Sequence, residues 1–225
     1  MAKSYERTNI LIGKEGLEKL KKSSCIVFGA GGVGSYAIEA LARSFVGNIT
    51  LVDFDVVDIT NINRQLHANV NTIGSYKVDL MCERIKSINP LCNVKIIKSR
   101  VSVCNVQDFF NEKYDFVIDA IDDIKAKISI ISYCKYNKIN IISSMGLANR
   151  LDPTKVYIGK LKNTLGCGLA RRLRKEFKNT NLTVVASNEH AIKHKNPKPG
   201  SVSFVPSVGG LMLAGYVINQ ILKKK

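Results

Sequence analysis

The stretch Cys25-Ile26-Val27-Phe28-Gly29-Ala30-Gly31-Gly32-Val33-Gly34-Ser35 decides the reading of this chain. Four strand-type apolar residues run directly into a glycine-rich turn, and an apolar helical stretch succeeds it. Glycines at this spacing allow a tight turn and let backbone N–H groups approach a phosphate at a helix N-terminus. A second strand, Ile49-Thr50-Leu51-Val52, ends at Asp53, 19 residues beyond Gly34. A carboxylate at that place meets a ribose hydroxyl in dinucleotide-binding βαβ units.

The next segment exceeds that minimal pattern. Asn61-Ile62-Asn63-Arg64-Gln65 brings in a fixed cation with a fork of donors suited to phosphate oxygens. Gly74-Ser75-Tyr76-Lys77 supplies a second cation. A dinucleotide needs no such pair, whereas a triphosphate losing pyrophosphate does. The expected nucleotide contacts are therefore Gly29, Gly31, Gly32, Gly34, Asp53, Arg64 and Lys77, while Asn61 and Asn63 also read as turn formers. Asp55 is either a second contact or a solvated turn residue.

Working outward, strands read at 25–28, 49–53, 94–98, 115–119 and 139–143, with a further one at 154–158. They are short and rich in Val and Ile, as strands buried on both faces are. Helical patterns lie between them: Ile38, Leu41 and Phe45 share one face, as do Leu80, Met81, Ile85 and Ile88. This alternation predicts an α/β fold, a Rossmann-like doubly wound, mostly parallel sheet with helices on both faces. Asp53, Asp119, Asp122 and Met145-Gly146 fall at strand C-terminal ends, where such sheets bind ligands. Leu17 and Leu20 mark a short amphipathic helix before the first strand.

The chain of 225 residues carries 34 Lys+Arg against 18 Asp+Glu, a net charge of +16. Arg150 to Gly200 alone holds 12 basic and 3 acidic residues. A charge of this size favours an anionic partner such as nucleic acid. The stretch 160–200 reads as a basic, mobile C-terminal extension over the site. Within it Arg171, Arg172, Arg174 and Lys175 cluster, with Arg171, Arg174 and Lys175 on one helical side. Residues 207–222 read as an apolar C-terminal helix in the core or at a subunit contact. Pro206, Gly209 and Gly210 interrupt its approach, and Lys223-Lys224-Lys225 form a basic tail that can touch an anionic membrane surface. The whole chain, 1–225, reads as one domain.

Six cysteines, none in a Cys-x-x-Cys pair, and a polar, charged N-terminus predict a reduced, cytoplasmic setting and no zinc.

The ordered set of motifs resembles the E1-like (ThiF/MoeB/HesA) ATP-dependent adenylating superfamily. The resemblance runs from Arg7-Thr8-Asn9-Ile10-Leu11-Ile12-Gly13 through the glycine loop, Leu51-Val52-Asp53-Phe54-Asp55, Thr60-Asn61-Ile62-Asn63-Arg64-Gln65 and Ile88-Asn89-Pro90 to Val117-Ile118-Asp119-Ala120-Ile121-Asp122. Within it Gln65-Leu66-His67-Ala68, Leu169-Ala170-Arg171-Arg172-Leu173-Arg174 and Ser203-Phe204-Val205-Pro206-Ser207-Val208 are similar to the tRNA threonylcarbamoyladenosine dehydratase branch. The resemblance implies ATP and Mg²⁺, with Asp122 as the Mg²⁺ or ATP ligand, Asn61 as a phosphate or ribose partner, and Arg64 and Lys77 as catalytic cations. It implies a homodimer in which Arg7 reaches the neighbouring subunit's triphosphate, although Arg7 also reads as a surface residue. The implied substrate is tRNA carrying threonylcarbamoyladenosine, and the sequence leaves open whether a sulfur-transfer protein is a further partner. His67 is either a general base or a packed histidine, and Cys167 carries no visible activator beyond nearby cations. Two other readings share parts of the pattern. An activator of a ubiquitin-like sulfur carrier needs the same ATP site but no basic extension. An NAD-dependent oxidoreductase or a nucleotide-sensing module gives Arg64 and Lys77 no role.

Overall fold

The computed structural model describes residues 2–178 and 180–223, so Lys224 and Lys225 of the basic tail lie outside the described residues. Its order is α1 (Glu6–Lys22), β1 (Ser24–Phe28), α2 (Gly34–Arg43), β2 (Asn48–Val52), α3 (Lys77–Ile88), β3 (Asn93–Ile97), β4 (Phe116–Asp119), α4 (Ile124–Tyr136), β5 (Ile141–Ser144), β6 (Val156–Lys160), α5 (Gly168–Glu176), β7 (Thr183–Ser187) and α6 (Phe204–Lys223). The strands form one sheet in the order β3-β2-β1-β4-β5-β7-β6. All neighbours are parallel except β6 and β7. Burial tracks that order: β4 and β7 are buried at every residue, whereas the edge strands β3 and β6 are partly open.

Period-two alternation in β1 divides the core. Cys25 and Val27 face one cluster with Ala37 and Leu41 of α2, Met81 and Ile85 of α3, and Leu213 and Val217 of α6. Ile26 and Phe28 face the opposite cluster with Phe109 and with Ile130 and Cys134 of α4. Both sheet faces are thus covered by helices, as the sequence predicts. A third cluster joins Leu161, Leu173 of α5, and Val184 and Ala186 of β7.

Two expectations require correction. The stretch 160–200 is not one mobile arm, because it contains α5 and β7, and β7 sits between β5 and β6 with all five residues buried. Only the irregular segment after β7 remains as an exposed arm. The C-terminal helix begins at Phe204, not 207. Pro206 lies in its first turn, where no backbone donor is needed. Gly209 and Gly210 do not break the helix; they allow close packing. A Cβ on Gly210 would overlap the Val33 carbonyl oxygen at the start of α2, and one on Gly209 would overlap Leu147. By length and composition α6 is apolar enough to cross a membrane. Here it lays Val205, Leu213, Ala214, Val217 and Ile221 into the core.

Candidate active site

The glycine loop turns at the C-terminal end of β1. Gly29 adopts φ +90°, and a Cβ on Gly34 would overlap the Gly29 carbonyl oxygen, so the turn closes only with glycine at both positions. Helix α2 starts at Gly34, next to a cavity of about 450 Å³. Gly29, Gly31, Gly32, Asp53, Asp55, Asn61, Arg64, Lys77 and Asp122 all line it. Gly34 does not; it closes the turn beneath.

Each polar side chain is held by its neighbours. Asp53 Oδ2 accepts from the Ala30 N–H at 2.7 Å, and Oδ1 accepts from the Asp55 N–H at 2.9 Å. A carboxylate offers about four lone-pair sites, so Asp53 steadies the glycine loop and retains capacity for ribose hydroxyls. Asn61 is buried and caps a 3-10 turn reciprocally with Asp58: its Oδ1 accepts from the Asp58 N–H at 3.1 Å, while Asp58 accepts from the Thr60 N–H. The Asn61 NH₂ has no hydrogen-bond partner among the described residues. Arg64 donates through Nη1 to the Thr60 carbonyl (2.7 Å) and to Asn63 Oδ1 (2.9 Å), and its aliphatic stem lies over Gly32. Its other guanidinium nitrogens are left for a ligand. Lys77, at the start of α3, is 5 % exposed, and its Nζ pairs with Asp55 Oδ2 at 2.7 Å. Asp55 is a half-exposed residue of the cavity lining, and its carboxylate also holds the second cation.

Two adjacent aspartates beyond β4 have different roles. Asp123 caps α4 through the Lys125 and Ala126 N–H groups and pairs with Arg100 at 3.1 Å. These bonds, the Ala126 N–H above all, lower its pKa. Asp122 is exposed at the cavity with no hydrogen bond or ion pair among the described residues. Among those residues no three His, Cys, Asp or Glu side chains cluster to form a metal cage. One free carboxylate beside the glycine-loop cavity is a donor that Mg²⁺ accepts, since that ion is usually held by one or two carboxylates, substrate phosphates and water.

His67 is 7 % exposed, and neither ring nitrogen has a partner among the described residues. Burial, reinforced by the Lys77 charge, lowers its pKa to about 4. It is neutral at physiological pH and lies outside the cavity wall. Arg7 is exposed on α1 and lines a separate depression with Thr8, Leu11 and Ile218, so it does not reach this cavity within its own chain. Of the basic cluster, Arg171, Arg172 and Lys175 project from α5 into solvent. Arg174 departs from the exposed face read in the sequence: it is half-buried, and Nη1 donates to the Thr164 carbonyl oxygen at 2.6 Å. Cys167 caps α5, its Sγ accepting from the Ala170 N–H at 3.4 Å.

One element beneath the site is not predicted by the motifs. Lys127 of α4 has no solvent exposure and pairs at 2.7 Å with the equally buried Asp119 at the end of β4. Ser143 Oγ donates to the same Asp119 oxygen at 2.6 Å, and Lys127 Nζ donates to Ser143 at 3.1 Å. The spacing does carry a signal, since Lys127, Ile131 and Cys134 fall on one helical face.

Comparison with known proteins places this geometry. The ThiF family model matches residues 5–225. The tRNA threonylcarbamoyladenosine dehydratase of Bacillus subtilis is 44 % identical over 245 residues, covering 99 % of this chain and 96 % of that protein. The enzyme of the same name from Haemophilus influenzae is 48 % identical over 160 residues, covering 71 % of this chain and 61 % of that protein. Crystal structures of the Escherichia coli tRNA N6-threonylcarbamoyladenosine dehydratase, one with AMP and one with ATP, superpose with TM-scores of 0.94 and 0.93. Each is 33 % identical and covers 98 % of this chain and 94 % of the other. With the family model, the near full-length Bacillus subtilis and Escherichia coli matches and the glycine-loop cavity in agreement, the chain belongs to the ThiF family of E1-like proteins.

Proposed function

We propose that this chain is an ATP-dependent tRNA threonylcarbamoyladenosine dehydratase. The observation that carries the reading is the convergence of Arg64 and Lys77, from separate elements, on the cavity that the glycine loop opens. The full-length similarity to dehydratases supports it. The threonyl carboxylate oxygen attacks the α-phosphorus of ATP and expels pyrophosphate. Two anions meet in that step, and preorganised cations stabilise the charge that develops. The loop N–H groups and the α2 N-terminus orient the phosphates, Asp53 takes the ribose, and the Asn61 NH₂ would donate to the nucleotide. Asp122 would hold Mg²⁺, which supplies further charge neutralisation on the triphosphate. The neighbouring carbamoyl group then attacks the acyl carbon, the bond to AMP breaks, and a ring closes with loss of a proton. The carboxylate oxygen leaves in AMP, so the nucleoside loses the elements of water. Because the attack is intramolecular, its effective molarity is high and no covalent enzyme intermediate is needed.

The tRNA anticodon loop would lie against Arg171, Arg172 and Lys175, which have no partner among the described residues. Arg174 supports this face from below by tying α5 to Thr164. The active unit we propose is a homodimer of this single-domain chain in the cytosol. Arg7, remote from its own cavity, then serves the partner's triphosphate. The test is to incubate protein, ATP and Mg²⁺ with tRNA bearing or lacking the modification and to separate the nucleotides. AMP and pyrophosphate that depend on the modified tRNA are expected; ADP would overturn the mechanism.

A further inference from the structure

An open basin of about 870 Å³ lies beside the nucleotide cavity, and Pro199 lines both. His190, Lys193 and His194, from the arm after β7, line it together with Asn149 and Gly166. Asn149, in the segment after β5, holds the arm in place. It adopts φ +59°, a conformation asparagine tolerates better than most residues. Its N–H donates to the Gly200 carbonyl and its carbonyl accepts from the Ile192 N–H, both at 2.8 Å. Its Oδ1 accepts from the Gly200 N–H and lies 2.9 Å from His194 Nε2. The backbone from 192 to 200 is thereby looped around one side chain. The next residue, Arg150, is buried and donates to the carbonyls of Ala148, Gly166 and Glu189. At the far end Asn63, beside Arg64, donates to the Ser201 carbonyl at 2.9 Å. So the arm is preorganised, while the side chains of His190, Lys193 and Lys195 have no hydrogen bond or ion pair among the described residues.

Given the dehydratase reading, the reacting carboxylate is attached to a base within an RNA loop. When that carboxylate reaches the α-phosphate, the flanking nucleotides must lie along the rim of the ATP cavity. The basin is the concave, cationic surface across that rim. Unpaired RNA is bound by stacking splayed bases on flat side chains and by cations on the backbone. We infer that this basin takes an unpaired nucleotide next to the modified one, its base against His190 and its phosphate against Lys193. This inference rests on the dehydratase reading for the reaction, but the binding surface is testable without turnover.

The experiment uses the full chain and an anticodon stem-loop RNA carrying the modified nucleoside, with abasic sites placed in turn at its two neighbours. Lys193→Gln should weaken RNA binding about fivefold. It should also flatten the salt dependence by roughly 0.7, the value of one single-strand phosphate contact. ATP affinity and kcat at saturating RNA should stay within about twofold. His190→Ala should cost about tenfold in RNA affinity, within the range of base–aromatic stacking. It should also abolish the further loss caused by the abasic site at one neighbour. Wild-type-like isotherms for both variants, with unchanged melting curves, would overturn the inference, as would losses from His190→Ala and both abasic sites that simply add. If wild type makes no AMP from the modified RNA, the dehydratase reading fails. The isotherms still decide the basin separately.

Discussion

Replacing Lys127 by Met should destabilise this protein more than replacing Lys77 or any lysine of the basic arm. Both partners of the Lys127–Asp119 pair are fully buried, 2.7 Å apart. Met fills a similar volume but removes the ammonium. Asp119 is then left as a buried carboxylate with only the Ser143 hydroxyl at 2.6 Å and a long Ile121 N–H contact at 3.4 Å. Breaking one side of a buried pair costs about 3–5 kcal/mol, because the remaining charge is uncompensated. For a domain of this size each kcal/mol lowers Tm by roughly 2–4 °C, so a drop of roughly 6–20 °C is expected. The assay is thermal and urea unfolding tracked by circular dichroism. The Lys127→Met/Asp119→Asn double variant should recover more than half of the loss, because the stranded charge is gone. Asp119 also begins the loop that carries Asp122, so the single variant should bind ATP more weakly. A single-variant loss below about 1 kcal/mol, the range of a solvent-exposed pair, would refute the argument. So would a double variant whose losses add.

Arg64→Ala and Lys77→Ala should each lower turnover by roughly 10²–10³, as loss of one transition-state donor does, with the fold retained. Single-turnover rates beside melting curves check this. Asp53→Ala should weaken ATP binding more than it slows the bound complex, since a ribose contact is made in ground and transition states alike; calorimetry beside single-turnover kinetics separates the two. His67 supplies a pH dependence of stability. Its folded pKa of about 4 lies below the unfolded value of 6.5, so the unfolded state binds more protons between these values and stability falls as pH drops through that window. The loss approaches roughly 3 kcal/mol by pH 4 at about 1.4 kcal/mol per unit. His67→Gln should flatten the Tm profile between about pH 6.5 and 4.5, and an unchanged slope would assign the effect elsewhere. Mixing inactive Arg7→Ala with inactive Lys77→Ala protein should restore activity through hybrid dimers; no recovery despite proven subunit exchange contradicts a shared site.

The nucleotide half of the site is legible in the sequence because its signals are local. The glycine turn, Asp53 and the Asn61–Arg64 run each declare themselves within a few residues, and strand-end placement predicts that they meet. Buried, β-branched strands reveal the sheet for the same reason. Elements that depend on distant neighbours are harder to read. β7 is a plain Thr-Val-Val-Ala-Ser run, but it lies in a basic stretch whose average charge suggests an arm. Only its slot between β5 and β6 makes it core. Lys127 shares a helical face with Ile131 and Cys134, but its partners Asp119 and Ser143 come from two separate strands and are not visible in its neighbourhood in the sequence. The start of α6 is obscured because glycine and proline signal breaks in isolation. Here they answer the close approach of α2 and Leu147. The pairing of Asp55 with Lys77 is not legible in the sequence, because the two lie 22 residues apart across an irregular loop.

The central claim is that the threonyl carboxylate is activated as an acyl-adenylate in the cavity under Arg64 and Lys77. It is tested most directly by labelling that carboxylate with oxygen-18 in the modified tRNA and measuring the products by mass spectrometry. An acyl-adenylate route predicts one labelled oxygen in the phosphate of each AMP formed, matched one to one with a nucleoside that has lost water. Label appearing in water or inorganic phosphate, or dehydrated nucleoside formed with unlabelled AMP, would contradict it.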